Sequence, residues 1–150
     1  MWNPNQYNIK ENSRKGAWLQ LKDIATQEDL VIEIDGKLVK SRVKVLGPKS
    51  SEIKDEAIKA QRRMRDLKAK VDSFERKGKV YKPTKVEEEE SEANDIEFCM
   101  LAVIAWEGMP SKDGGEAKFT KAEKEYIFTS DMVRNQIIHF SLQQENFIES

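Results

Sequence analysis

Leu30-Val31-Ile32-Glu33-Ile34-Asp35-Gly36-Lys37-Leu38-Val39-Lys40-Ser41-Arg42-Val43-Lys44-Val45-Leu46-Gly47-Pro48 decides the fold class. Ile32 and Ile34 share one side of a first strand, and Val39, Val43 and Val45 share one side of a second. Asp35-Gly36 between them has the chemistry of a type I′ hairpin turn, which needs positive φ at both central residues. Gly47-Pro48 closes the second strand. Upstream, Ala17-Trp18-Leu19-Gln20-Leu21 reads as a further strand, so a small antiparallel meander is expected near the N-terminus. Residues 1–15 are polar and aperiodic and read as a flexible arm.

Downstream the period changes from two to three and a half. Ile53, Ala57, Ala60, Met64, Leu67, Val71 and Phe74 are spaced alternately four and three apart, which is a heptad seam on one long helix. Ser50 or Ser51 is placed to cap its start and Gly78 to stop it. A stripe this narrow seeks another helix. That helix is either the Phe98–Trp106 segment of the same chain, making the stripe core, or a segment of another chain.

Residues 78–94 contain Pro83 and Glu87-Glu88-Glu89-Glu90 and read as a charged linker. From about Glu92 through Trp106 the chain reads as a central helix, apolar on nearly all sides, with Gly108 as its left-handed end. Thr120 with Glu123 forms a capping box for a short helix, preceded by Phe119 as a hydrophobic staple. Thr129 or Ser130 then starts a last helix carrying Val133, Ile137 and Phe140 on one face. The expected architecture is α+β: a flexible arm (1–15), a β-meander plus long helix (16–77), a charged linker (78–94) and a C-terminal unit of about three helices (95–150).

Composition excludes several function classes. Of 150 residues, 38% are hydrophobic and 35% charged, and 26 Lys and Arg against 27 Asp and Glu leave a net charge of −1. A wholesale polycation for coating nucleic acid is thereby ruled out. One cysteine and one histidine supply neither a disulfide framework nor a Cys/His zinc cluster. The longest apolar run, Phe98 to Trp106, falls far short of the roughly 20 residues of a membrane span. With no secretory leader pattern at Met1-Trp2-Asn3-Pro4, a soluble cytoplasmic protein is expected.

The near-neutral total conceals opposed blocks. Residues 54–85 carry twelve basic and five acidic side chains, and residues 86–97 carry seven acidic and no basic ones. Either block can face a partner of opposite sign, or the two can offset one another within the chain. Arg62, Arg65, Lys68 and Arg76 cluster beside the apolar seam and are candidate contacts to phosphate or to an acidic partner. Interleaved Asp66, Asp72 and Glu75, with no aromatic stacking platform, weigh against nucleic acid.

No catalytic pattern stands out. Gly47-Pro48-Lys49-Ser50 sits between strand and helix, but Pro48 has no N–H and Val43 replaces the glycine a phosphate loop requires. His139 could pair with Ser141 or Cys99, but no carboxylate in a recognisable motif orients it. The glutamate run lacks the glycine-containing loop of a calcium site. No cofactor or metal is therefore expected.

In order, these elements resemble the tail assembly chaperone-like proteins of tailed phages and prophages. The likeness is carried by Gly16-Ala17-Trp18-Leu19, Ile34-Asp35-Gly36-Lys37 and Val43 to Ser50 leading into the Arg-rich helix. In the second half it is carried by Leu101 to Gly108, Phe119-Thr120-Lys121-Ala122-Glu123 and Ile137-Ile138-His139-Phe140 ending near Asn146-Phe147. It covers roughly residues 16–75 and 95–148, and the acidic linker departs from it. The resemblance implies a non-enzymatic role in virion morphogenesis in the host cytoplasm. Proteins of this group are thought to bind the long, helical tape-measure protein until the tail tube forms around it. Candidate contact residues are Met64, Leu67, Val71 and Phe74 on the long helix, or Ile137 and Phe140 on the last one. Other tail proteins and a second copy of the chain are further candidate partners. Two rival readings are a structural component of the tail or head–tail joint, and a nucleic-acid-binding regulator using the basic helix.

Overall fold

The structure, a computed structural model, describes residues 1–148; Glu149 and Ser150, at the end of the expected C-terminal unit, lie outside the described residues. Its architecture is α+β, with two small antiparallel sheets and five α-helices among the described residues.

The polar residues at the N-terminus serve as helix caps. Asn3 caps a 3₁₀ turn, Pro4–Tyr7, in a capping box with Gln6. Asn8 then caps α1 (Ile9–Lys15) by accepting from the Glu11 amide at 3.2 Å. Expected as a flexible arm, this segment instead docks on both the middle and the end of the chain. Asn12 and Ser13 are buried, the Asn12 side-chain amide donates to the Phe147 carbonyl at 2.8 Å, and the Gly47 amide donates to the Ser13 carbonyl at 3.0 Å.

The meander is divided in two. β1 (Ala17–Gln20), β2 (Val31–Ile34), β3 (Lys37–Lys40) and β4 (Arg42–Val45) follow in order. β2 and β3 form the expected hairpin, with Asp35 at φ 50° and Gly36 at φ 78°, in keeping with a type I′ turn. Buried Ser41 interrupts the long second strand. Its amide donates to Leu30 at 2.8 Å and its carbonyl accepts from Leu21 at 3.1 Å, so the chain passes there from one sheet to the other. β4 then pairs antiparallel with β1, setting Leu19 opposite Val43 and Ala17 opposite Val45.

The third strand of this sheet corrects the sequence reading. The central helix α3 (Lys85–Ala102) ends four residues before Trp106, and Val103–Glu107 form β5 on the far side of β4. The Leu46 amide, just past β4, donates to the last helical carbonyl, Ala102, at 2.8 Å. An all-round apolar run fits a buried helix and a buried strand equally well, and β-branched Val103 and Ile104 favour the strand once an edge is available. Trp106 therefore does not close a helix. Its indole N–H donates to the Ala117 carbonyl at 3.1 Å, and its ring meets Phe119 edge-on at 5.0 Å. Gly108 does adopt a left-handed φ of 64°, but it follows a strand.

The linker is also shorter than expected. Thr84 caps α3, accepting from the Glu87 amide at 3.1 Å, so Glu87–Glu90 open a helix. Glutamate is a good helix former, and its charge is favoured near a helix N-terminus. The long helix, α2 (Lys54–Arg76), is 23 residues long and has no side-chain cap; Ser50 bonds the Glu52 carboxylate instead. Gly78, at φ 70°, ends it as expected, with the Lys79 amide returning to the Phe74 carbonyl at 2.8 Å.

α4 (Lys121–Ile127) and α5 (Asp131–Leu142) start at Thr120 and Ser130. Only half of the expected capping box forms at Thr120, because the Glu123 carboxylate is drawn to the Ser111 hydroxyl and the Lys112 amide. The core joins the inner face of the three-stranded sheet, Val43 and Val45, to Phe98, Cys99 and Ala102 of α3 and Ile137 of α5. Ile53 and the first turns of α2 complete it.

Candidate partner-binding surface

The heptad stripe of α2 has two fates along one face. Ile53, Ala57 and Ala60 are buried. One turn further on, Met64 is 44% exposed and Leu67 50% exposed, and Val71 and Phe74 are half-buried. Small alanines at 57 and 60 let the helix backbone approach the body closely. Beyond them the helix runs outward, carrying larger apolar side chains into solvent. The stripe is thus core at its start, open at Met64 and Leu67, and half-covered at Val71 and Phe74, an outer span of about 15 Å at 1.5 Å per residue.

What lies beside the outer part is the connection to α3, and the contact is both aromatic and polar. Phe74 meets Tyr81, in the connection, edge-on at 5.2 Å. The Lys70 ammonium lies 5.9 Å from the same ring, and the Tyr81 hydroxyl donates to the Glu87 carboxylate. That bond holds the Glu87 carboxyl below its ordinary value, helped by the charge of Lys70. Closer to the body, Arg63 and Arg134 both act on Asp95, a half-buried carboxyl raised by desolvation and drawn partly back by the two guanidiniums. Phe74 and Lys70 of α2, Tyr81 of the connection and Glu87 of α3 thus form one contact group where the two helices join. The basic and acidic blocks therefore approach each other at this join, with Lys70 and Glu87 on either side of Tyr81.

On its other edge α2 is exposed and cationic. Arg62, Arg65, Lys68 and Arg76 are all exposed. Among the described residues none of the four takes part in an ion pair, the one ion pair on α2 being Lys59 with Glu56. At the base of the stripe, Gln61, Met64 and Arg65 face Leu142 across an open groove of about 420 Å³.

The second candidate face is not a surface. Ile137 is completely buried in the core. Phe140 is half-buried, its ring 5.7 Å from Phe147. Both hold α5 to the body; Ile137 is closed to a partner, and Phe140 is partly covered.

The other residues weighed for chemistry are dispersed. His139 is exposed on the outside of α5, whereas the Ser141 hydroxyl points inward and donates to the Leu46 carbonyl at 2.7 Å. Cys99 is buried, and desolvation, aided by Asp95, pushes its thiol up to about 12, away from the reactive thiolate. The Gly47–Ser50 loop spends its amides internally, Gly47 on Ser13 and Ser50 on Gly47, leaving no cradle for phosphate. No group of three or more metal-binding side chains is found among the described residues. Nor is any helix among them long and apolar enough to cross a membrane.

A groove that sequence reasoning missed lies between the β2–β3 hairpin and the α4–α5 corner. It measures about 290 Å³ and is lined by Leu30, Val31, Met109, Tyr126, Ile127 and Val133 among others. Its walls come from five separated segments, none of which marks a groove on its own. No family model, curated protein or solved structure matches this chain.

Proposed function

We propose that this protein is a non-enzymatic assembly chaperone or adaptor of phage tail morphogenesis, which binds the tape-measure protein in the host cytoplasm. The observation that carries the reading is the apolar stripe of α2 leaving the core after Ala60, with Met64 and Leu67 half exposed on a densely charged helix. A long helical chain with bare apolar stripes aggregates unless they are covered. A charged arm presenting a narrow complementary stripe can cover one while keeping the pair hydrated.

Co-expression tests it. The tape-measure chain should stay in the supernatant and co-purify with this protein, and purified mature particles should lack it. Aggregation of the tape measure regardless of co-expression would refute the reading. Retention in particles at fixed stoichiometry would make the protein a virion component instead.

A second reading, a nucleic-acid-binding regulator, is favoured by one observation, the exposed Arg62, Arg65, Lys68 and Arg76, which form no ion pair among the described residues. It requires binding to duplex DNA that weakens steeply with salt.

A further inference from the structure

We infer that the α2 stripe takes a single amphipathic helix whose apolar side is bordered by Asp or Glu along the edge meeting Arg65 and Lys68. For the identity of the natural partner this rests on the chaperone reading; the chemistry of recognition rests on α2 alone.

Three features define the occupant. The apolar part, Met64, Leu67 and Val71 leading to Phe74, is one side chain wide and about three turns long. That shape suits one helix packed lengthwise, with its own side chains three and four apart. The edge toward α3 is taken up near its outer end, where the Lys70 ammonium lies over the Tyr81 ring and the Tyr81 hydroxyl donates to Glu87. Beside Met64 and Leu67 the opposite edge carries Arg65 and Lys68, exposed and without ion-pair partners among the described residues, with Asp72 and Glu75 following one to two turns further along. Carboxylates are the groups that satisfy this edge when a helix lies on the stripe.

The same charges discriminate against two other occupants. A second copy docked α2 on α2 brings Lys68 against its own equivalent when antiparallel, or against Arg63 when parallel. Both arrangements oppose like charges. Duplex DNA would meet Arg65 and Lys68 but also Asp66 and Asp72, and it would leave the apolar stripe bare.

The test uses two designed helical peptides of about 20 residues with identical leucine stripes, one edged with Glu and the other with Lys. Binding to the full chain is followed by fluorescence anisotropy and by amide shift mapping. The Glu-edged peptide should bind more tightly and shift α2 amides from residue 61 to 75. The double variant R65E/K68E should reverse the preference, and L67E should abolish binding of both. Each exposed charge pair contributes a modest amount, so the preference and its reversal should each be about five- to tenfold. All three substituted residues are exposed, and an unchanged melting temperature establishes that the variants are folded.

Equal binding of the two peptides, or shifts confined to another face, would overturn the inference. So would a concentration-dependent dimer that L67E disrupts, or DNA competing for the stripe. The two proposals fail separately. Tape-measure capture undiminished in R65E/K68E and L67E removes this surface and leaves the function. Charge-dependent peptide binding without tape-measure capture removes the function and leaves the surface.

Discussion

Ala60 and Met64 lie one turn apart on the same stripe of α2, yet Ala60 is buried and Met64 is almost half exposed. The boundary between core and free arm falls between them. Ile53, on the core side, should therefore behave very differently from Leu67 beyond it. Ile53→Ala deletes a fully buried side chain and should cost about 2–5 kcal/mol. Met64→Ala and Leu67→Ala should each stay within about 1 kcal/mol of the parent. Urea unfolding midpoints of the three variants measure this. A Leu67→Ala loss as large as that of Ile53→Ala would mean that the outer stripe is core.

Asp95 gives the chain a specific pH signature. Burial raises its carboxyl above the usual 3.8, against the pull of Arg63 and Arg134. The folded chain thus holds this proton more tightly than the unfolded chain does. The stabilisation it contributes is fully present below the unfolded value and is lost as pH rises through the folded one. Asp95→Asn cannot titrate. Relative to that variant, the parent chain should gain stability when the pH is lowered from 7 to 4, as read by urea unfolding at both values. A difference that is constant with pH, or that changes in the opposite sense, would contradict the assignment.

The N-terminal helix should be coupled to the end of the chain through Gly47. A methyl group at that position would lie 2.8 Å from the Phe147 ring and 2.8 Å from the Ser13 β-carbon. Both belong to the seam between α1 and the end of the chain. Gly47→Ala should cost about 1–3 kcal/mol, as overpacking generally does. Hydrogen exchange should show faster amides in residues 9–15 together with the Asn12–Phe147 contact region. Protection unchanged at both ends would show that the two segments are not held through this residue.

How much was legible beforehand follows the range of each interaction. The Asp35-Gly36 turn was readable because its φ angles are a property of two adjacent residues. Thr84 was missed as a cap only because the glutamates after it suggested a solvated linker, whereas carboxylates just inside a helix N-terminus are favourable. The α2 stripe was readable as a spacing. Its division into core and arm was not, because that depends on where the sheet and α3 end.

From its sequence alone, this protein is determined to have a hairpin, a long striped helix stopped at Gly78, and two opposed charge blocks, since turn geometry, helical period and charge are local. Tertiary structure decided the rest. It made Val103–Glu107 a strand because β4 had a free edge to pair, closed the first fifteen residues onto Phe147, and took Ile137 into the core. It also left Met64 and Leu67 outside, because packing ends where the neighbouring elements end, and no single segment carries that information.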